Sequence, residues 1–309
     1  MDRFIDFDDQ SGILKVQAGV LVSEILEVFV PKGWFLPVVP GTKFITVGGA
    51  IANDVHGKNH HRAATFGRHV SRFELLRSNG DRLICSKNKN SALFAATIGG
   101  LGLTGLITWA EFKLKPIRGP WIDQETLKFS CLEEFVELSE ASEKDYDFSV
   151  AWFDCFAPLG KGHFIRGNHS RLTVPKKPPE KRMPLAIPLN LPSFSLNRFT
   201  ISAFNFAYYH RLTRQFTATN LHYNPFFFPL DAIGQWNRIY GSAGFVQYQC
   251  VVPHEGGIEA VKKMLEAIEQ SGLGSFLAVL KTFGDIESPG LLSFPRPGIT
   301  LALDFGIRG

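Results

Sequence analysis

The sequence predicts an α+β protein of two domains, and three observations carry that reading. Short apolar alternations broken by turn residues recur through the first 115 or so positions, which is a strand signature. A strongly amphipathic helix pattern runs from Gly256 to Gln270. That helix lies between two strand-like runs, Phe245 to Val252 and Phe276 to Phe283, and a helix set against several antiparallel strands is an α+β arrangement. A chain of 309 residues is long enough for two domains with a core each.

Taken in order, Phe4 to Phe7 and Ile13 to Val20 read as a hairpin about a turn at Asp8–Gly12. Ser23 stands where it can cap a short helix from Glu24 to Phe29, with Ile25, Leu26 and Phe29 on one face and a stop near Pro31 and Gly33. Phe73 to Arg77 and Arg82 to Ser86 flank Asn79-Gly80, a pair that accepts the positive φ angles of a type I′ turn. A helix-like Ala95-Ala96-Thr97 leads into a second glycine cluster, Gly99 to Gly105, and a strand from Leu106 to Leu114. Pro116 to Pro120 reads as a linker, which divides the chain into 1–118 and 119–309.

Beyond the linker, Leu132 to Lys144 is an amphipathic helix, followed by strands at Phe148 to Phe156 and His163 to Asn168. Val174 to Leu196 is rich in proline and basic residues and reads as a long irregular loop. Phe204 to Thr213 is weakly periodic and is assigned to a helix. In the Gly256–Gln270 helix, Ile258, Val261, Met264, Leu265 and Ile268 share a face, and Gly272 and Gly274 end it. Strands at Phe276 to Phe283 and Ile299 to Phe305 complete the substrate-side domain.

Composition narrows the function classes. A hydrophobic content of 45% and a charged content of 20% are those of an ordinary globular protein. The 28 phenylalanines favour β-rich packing or a large apolar cavity, with core filling the role of most. The net charge of +4 is too small to argue for nucleic acid. Lys176, Lys177, Lys181 and Arg182 would suit an anionic lipid surface or a phosphate, although a solvated loop is the commoner meaning of such a run. Cys85, Cys131, Cys155 and Cys250 are far apart with no C-x-x-C, so reduced structural thiols are expected. Met1 to Asp6 carries acids where the apolar part of a signal peptide would begin, and no uncharged run approaches the ~20 residues of a membrane span. The expected location is cytoplasmic, with any membrane contact peripheral.

The chain is organised around Pro40 to His61, PGTKFITVGGAIANDVHGKNHH. Gly48 and Gly49 remove two adjacent side chains, which lets a flat or anionic ligand approach the backbone and allows turn conformations. The stretch lacks the Gly-Lys-Ser/Thr ending of a phosphate loop and the G-x-G-x-x-G spacing of a dinucleotide fold. Glycines alone leave ligand binding and a plain structural turn about equally open. His56, His60 and His61 could ligate a metal, but no matching cysteine or carboxylate cluster accompanies them, and no metal is expected.

This segment resembles the flavin-binding segment of the PCMH-type (vanillyl-alcohol-oxidase-like) FAD oxidoreductases. Its HGKNHH ending is most similar to the decaprenylphosphoryl-ribose 2-oxidase family within them. The similarity continues through Ala96–Gly105, Ala151–Asp154, Phe228–Asp231, Trp236–Arg238, Gln247–Gln249, Lys281–Gly284, Leu292–Pro295 and Asp304-Phe305, nearly the whole chain. The resemblance implies a two-domain PCMH-type FAD-binding fold with an antiparallel-sheet substrate domain. The implied cofactor is FAD, lying along Pro40, Gly41, Thr42, Thr46, Gly48, Gly49, Asn53, Val55, Gly57 and Gly105. His56 and Lys281 are the implied catalytic residues. Lys58, Trp152, Phe227, Gln247, Gln249, Leu277 and Val279 are the implied substrate contacts. Phe227 stands where a tyrosine is common, and Ala302 where some members carry a cysteine that reacts with covalent inhibitors, so insensitivity to that chemistry is expected.

The implied reaction is oxidation of a sugar secondary alcohol to a ketone, most like that of a polyprenylphosphoryl ribose in cell-wall arabinan precursor synthesis, with a short-chain reductase as a partner subunit. Two alternatives stand beside it: an aldonolactone oxidase acting on a sugar lactone, and a non-catalytic remnant. The last arises because the family's diphosphate-wrapping loop and its C-terminal tyrosine–lysine segment have no counterpart in these residues, so a fragment or divergent form is expected.

Overall fold

Period-two alternation in the first part of the chain becomes one antiparallel sheet. The computed structural model describes residues 1–171, 185–192 and 195–307. The basic positions Lys176, Lys177, Lys181 and Arg182 lie outside the described residues. The first part contains β1 (Phe4–Asp8), β2 (Ile13–Gln17), α1 (Val22–Phe29), β3 (Trp34–Phe35), α2 (Val47–Ala52), α3 (His60–Ala63), β4 (Val70–Leu76), β5 (Arg82–Ser86), α4 (Ser91–Thr97), β6 (Leu106–Lys113) and β7 (Lys115–Pro116). Five of these strands form a sheet in the order β1-β2-β6-β4-β5, and β3 pairs with β7. Leu14, Val16, Phe73, Leu75, Ala110 and Phe112 point from it into a core completed by α1 and α2.

Two local expectations are corrected here. The N-terminus of α1 is not capped by Ser23; Leu21 is the cap position, and its amide donates to Glu24 Oε2 at 2.8 Å. The Asn79-Gly80 hairpin is not type I′, because only Gly80 has positive φ, +90°. The Gly80 amide donates to the Arg77 carbonyl at 3.0 Å, and the Arg77 amide to that of Asp81 at 2.9 Å. That is a three-residue loop with glycine at its left-handed position.

The second part contains β8 (Trp121–Phe129), α5 (Leu132–Ser142), β9 (Phe148–Phe153), β10 (Gly162–His169), β11 (Leu185–Ala186), α6 (Arg198–His210), β12 (Phe216–His222), α7 (Tyr223–Phe227), β13 (Ile233–Gly234), β14 (Phe245–Val252), α8 (Gly257–Ser271), β15 (Ala278–Phe283) and β16 (Gly298–Gly306). Seven strands form an antiparallel sheet in the order β12-β8-β10-β9-β15-β16-β14, and β11 bridges β13. Helix α6 starts six residues before the sequence pattern suggests. Asn197 caps it, its side chain accepting from the Phe199 and Thr200 amides. The edge strand β12 has no clear apolar alternation and was not anticipated.

The seven-stranded sheet has two unlike faces. One carries Phe129, Ala151, Phe153, Phe164, Ala278, Leu280, Leu301 and Leu303, covered by α5 and α8 through Phe135, Val261 and Leu265. The other carries the polar residues of the candidate site. The two sheets divide at the Pro116–Pro120 segment, but the cores do not. Ile122, Phe148 and the aromatic run Tyr223 and Phe226–Phe228 are buried with the first core.

Asp54, which sequence reasoning passed over, joins the two parts. It is buried, with φ +43°, and Oδ1 accepts from the Gly67 amide at 2.8 Å. Its Oδ2 accepts from the hydroxyls of Ser288 and Ser293 on the loop between β15 and β16. The same loop lies against the end of α4, where the Leu291 amide donates to the Ala95 carbonyl at 3.0 Å. Asp54→Ala strands three buried donors and is expected to cost about 2–4 kcal/mol, read as a lower urea midpoint at unchanged slope.

Candidate active site

The glycines of the organising stretch have two different causes. Gly48 donates to the Ala18 carbonyl at 2.8 Å, and a Cβ on it would stand 3.1 Å from the Ala18 Cβ. A Cβ on Gly57 would meet the Val39 carbonyl oxygen at 2.6 Å, and one on Gly105 (φ +143°) would meet that of Leu76 at 2.6 Å. These positions need glycine because chain packs on chain. Gly41 is the opposite case: no atom lies within 4 Å of where its Cβ would be. The amides of Gly41 and Thr42 donate to no group among the described residues. Thr46 caps α2, its hydroxyl accepting from the Gly49 amide at 3.0 Å. The exposed Asn53 folds its side-chain amide back to the Gly49 carbonyl, 2.9 Å, and Val55 packs on the first core.

After α2 the chain pairs His56 with Thr65 in an isolated bridge, which fixes the histidine's direction. The end of β15 approaches this loop closely, since a Cβ on Gly284 would stand 2.8 Å from the His61 Cα. The sheet presents Val279, Lys281 and Phe283 from β15. Register places Thr300 opposite Lys281, and Ala302 opposite both Val279 and Gln249. Trp152 lies opposite Val279 on the other side. Lys281, His56 and Gln249, separated widely in sequence, therefore converge.

Lys281 Nζ lies 3.2 Å from His56 Nδ1, and Gln249 Nε2 lies 3.3 Å from His56 Nε2. The His56 ring meets the edge of Phe283, centroids 4.8 Å apart, and His60 packs on the same phenylalanine at 4.4 Å. Hydrogen accounting sets the protonation. Thr300 Oγ1 donates to the Cys250 carbonyl at 2.8 Å, so it can only accept from Gln249 Nε2 at 3.0 Å. The Gln249 amide nitrogen thus faces both Thr300 and His56, and His56 Nε2 accepts. A neutral imidazole then carries its proton on Nδ1 and donates it to Lys281, whose amine must be uncharged to accept.

The electrostatics agree for the histidine, and they allow the uncharged amine above about pH 8. Burial, and then the Lys281 charge, hold the His56 pKa well below its usual value, so the ring is neutral. Burial pushes Lys281 down to about 8. Lys58, whose ammonium donates to the Phe226 carbonyl and lies 4.7 Å from that ring's centroid, is pushed down to about 7 by burial and by Lys281. Both lysines keep a little accessible surface, but their ammonium groups are enclosed. No carboxylate among the described residues forms an ion pair with either.

The remaining expected contacts are placed unevenly. Gln247 donates to Asp304 Oδ1 at 2.8 Å on the same sheet face. Trp152 is buried, its indole N–H donating to the Phe276 carbonyl at 3.0 Å. Leu277 precedes β15, two residues from Val279. Phe227 is not brought to the cluster: it is 2% exposed and packs on Phe35 and Phe148, with centroids 5.3 and 4.8 Å apart. The lost hydroxyl there is a core substitution. The three histidines do not converge either, because His61 Nε2 donates to the Tyr146 carbonyl, away from His56. Thr300, Phe283 and Asp304 were missed as site neighbours. Cross-strand register places Thr300 and Asp304, and a ring contact places Phe283, neither of which a sequence displays.

An open glycine backbone and a buried imidazole–amine pair suit a flavin oxidoreductase, and the comparisons give that class. The family described as FAD binding domain matches residues 1–86. The chain is 38% identical to the decaprenylphosphoryl-beta-D-ribose oxidase of Mycolicibacterium smegmatis, over 100% of this chain and 69% of that protein. It is 28% identical to a protein encoded in the mprA 5′ region of Streptomyces coelicolor, over 94% of this chain and 82% of the other. A putative D-arabinono-1,4-lactone oxidase of Neurospora crassa is 28% identical over only 37% of this chain. The chain belongs to the PCMH-type FAD-dependent oxidoreductases, in the family of the decaprenylphosphoryl-ribose oxidases. Its cofactor is FAD. The residues present fit that group, since the free Gly41 and Thr42 amides and the open space over Gly41 provide donors and room for an anionic or flat ligand.

The buried Lys58 gives stability a pH dependence. Its pKa is about 7 folded, against 10.5 in the free side chain. Between those values the unfolded chain holds a proton that the folded one lacks, so stability rises with pH across that window and is lowest below it. From pH 6.5 to 8.5 Lys58 alone contributes a rise of roughly 2 kcal/mol, which Lys58→Met should remove from urea midpoints compared at the two pH values.

Proposed function

We propose that this protein oxidises a secondary alcohol of a lipid-linked sugar phosphate to a ketone, most like the 2-hydroxyl of a polyprenylphosphoryl ribose. The observation that carries the reading is the pair of enclosed lysines, Lys58 and Lys281, with no carboxylate partner among the described residues. Enclosed amines with no counter-charge hold their protons weakly, and an arriving phosphate supplies the counter-charge that lets Lys58 stay a cation. A neutral sugar lactone would not. The relative named for decaprenylphosphoryl-ribose oxidation supports the same substrate class.

Alcohol oxidation removes a hydride from carbon and a proton from oxygen. FAD, when bound, supplies the two-electron acceptor. Lys281, uncharged, has one lone pair: the arriving hydroxyl takes the place of His56 Nδ1–H on it, and the amine then takes the hydroxyl proton. Gln247 and Gln249 offer amides to neighbouring hydroxyls, Trp152, Leu277 and Val279 wall the sugar, and Lys58 neutralises the phosphate. Pro40, Gly41, Thr42, Thr46, Asn53 and Val55 line the cofactor, with Gly48, Gly49, Gly57 and Gly105 shaping the backbone beneath them. A ketone formed in this way needs a separate reductase to return an epimer, and a short-chain reductase subunit is the partner implied. Work on a lipid carrier calls for membrane contact, which we place at the periphery; no helix of the described residues is long and apolar enough to cross a bilayer.

The test is anaerobic flavin bleaching by the FAD-loaded protein, with polyprenylphosphoryl ribose and aldonolactones compared. The rate constant with the lipid-linked sugar should rise about tenfold per pH unit below pH 8 and level off above it, following deprotonation of Lys281. Lys281→Met should lower it by about 10²–10⁴-fold with flavin still bound. Bleaching by lactones and not by the lipid-linked sugar would reverse the assignment.

A further inference from the structure

Helix α6 is built inside out. Only Ile201 and Asn205 are buried on it, and Asn205 Nδ2 donates to the buried carboxylate of Asp154 at 2.8 Å. The outward positions 199, 203, 206, 207 and 210 follow helical spacing and hold Phe199, Ala203, Phe206, Ala207 and His210. Phe199 is 85% exposed and Phe206 60%, with Phe204 on the flank at 45%. A contiguous apolar stripe facing water marks an interaction surface. Its charge identifies the partner. Residues 198–214 contain Arg198, Arg211 and Arg214 and no aspartate or glutamate. Arg211 stacks on Tyr208, 3.7 Å from its ring centroid, and Arg198 pairs with Glu269, so the arginines flank the stripe at both ends. Glu269 offsets Arg198, and a second copy on a symmetric contact would bring Arg211 and Arg214 together with no acid in the helix to offset them.

The opposite side of α6 reaches the active site. Tyr208, on the inner side of α6, packs on Trp152 with centroids 4.4 Å apart. Phe204 packs on Phe276 at 5.6 Å, and the Phe276 carbonyl holds the Trp152 indole. We propose that α6 docks on an anionic lipid bilayer, with Phe199 and Phe206 entering the headgroup boundary and the arginines meeting lipid phosphates. The Trp152 wall then lies just across α6 from the membrane, within reach of a lipid-linked sugar whose apolar chain stays in the bilayer. The purpose rests on the proposed substrate; the docking itself does not.

The test is co-sedimentation of the full chain with phosphatidylcholine vesicles, with and without phosphatidylglycerol, for the unaltered protein and Phe199→Ser/Phe206→Ser. Both phenylalanines are exposed, so the double variant should melt as the unaltered protein does. The unaltered protein should pellet with phosphatidylglycerol vesicles and less well with phosphatidylcholine alone, and salt should weaken the binding. The double variant should bind about 10–100-fold more weakly. Equal binding by the two proteins, or no binding to phosphatidylglycerol vesicles, overturns the proposal. So does vesicle-free self-association that the double variant abolishes, which assigns the stripe to a second copy. Failure to oxidise a lipid-linked sugar would leave the vesicle result unchanged and would count only against the functional reading.

Discussion

Positive charge enclosed without a counter-charge governs this molecule. Lys58 and Lys281 are carried into a low-dielectric space near His56 and His60, where burial and then Lys281 lower the proton affinity of both histidines and of Lys58. Such a cluster is stable only if the surroundings hold it rigidly and if its members shed protons. The structure does both. Lys58 is tied to the Phe226 carbonyl, and His56 is clamped between Gln249 and an amine that hydrogen accounting requires to be neutral. Reactivity toward a hydroxyl proton follows from the same burial that makes the cluster costly.

The fold supplies that rigidity through a division of labour between the faces of the seven-stranded sheet. One face is a conventional apolar core under α5 and α8. The other displays polar side chains toward the glycine-rich part. Asp54 draws the loop between β15 and β16 onto α2, and the aromatic run after β12 fills the first core. The result is one working unit, although a linker divides the sheets. Helix α6 stands apart: it turns an asparagine to the core and exposes its phenylalanines, an arrangement that packing among the described residues does not explain.

Much of the fold was legible before any coordinates. Helix α8 and the strands beside it announce themselves by period, and the early hairpins by their turn residues. The failures have local causes. Leu21 takes the cap position of α1 because Glu24 reaches its amide, so a side chain three residues on outranks a nearby serine. The Asn79-Gly80 turn adopts a longer loop because only the glycine needs positive φ. Strand β12 is an edge with little apolar alternation, so its sequence carries no periodic signal. Phe227 matched a substrate position by motif, yet aromatic packing holds it in the core.

By itself the sequence determined the chemistry on offer. It set a glycine-rich stretch ending in histidines, a lysine in an apolar strand, two glutamines with strand spacing, and no competing metal or nucleophile signature. Local pattern suffices for these because period and backbone freedom are encoded over a few adjacent residues. Only the tertiary structure decided which glycines face open space and which face the chain's own backbone, and which tautomer His56 carries. Those depend on contacts between residues more than a hundred positions apart, such as His56 with Lys281 and Gln249. Burial and charge at such a meeting point are properties of the assembled space, and no single stretch of chain contains them.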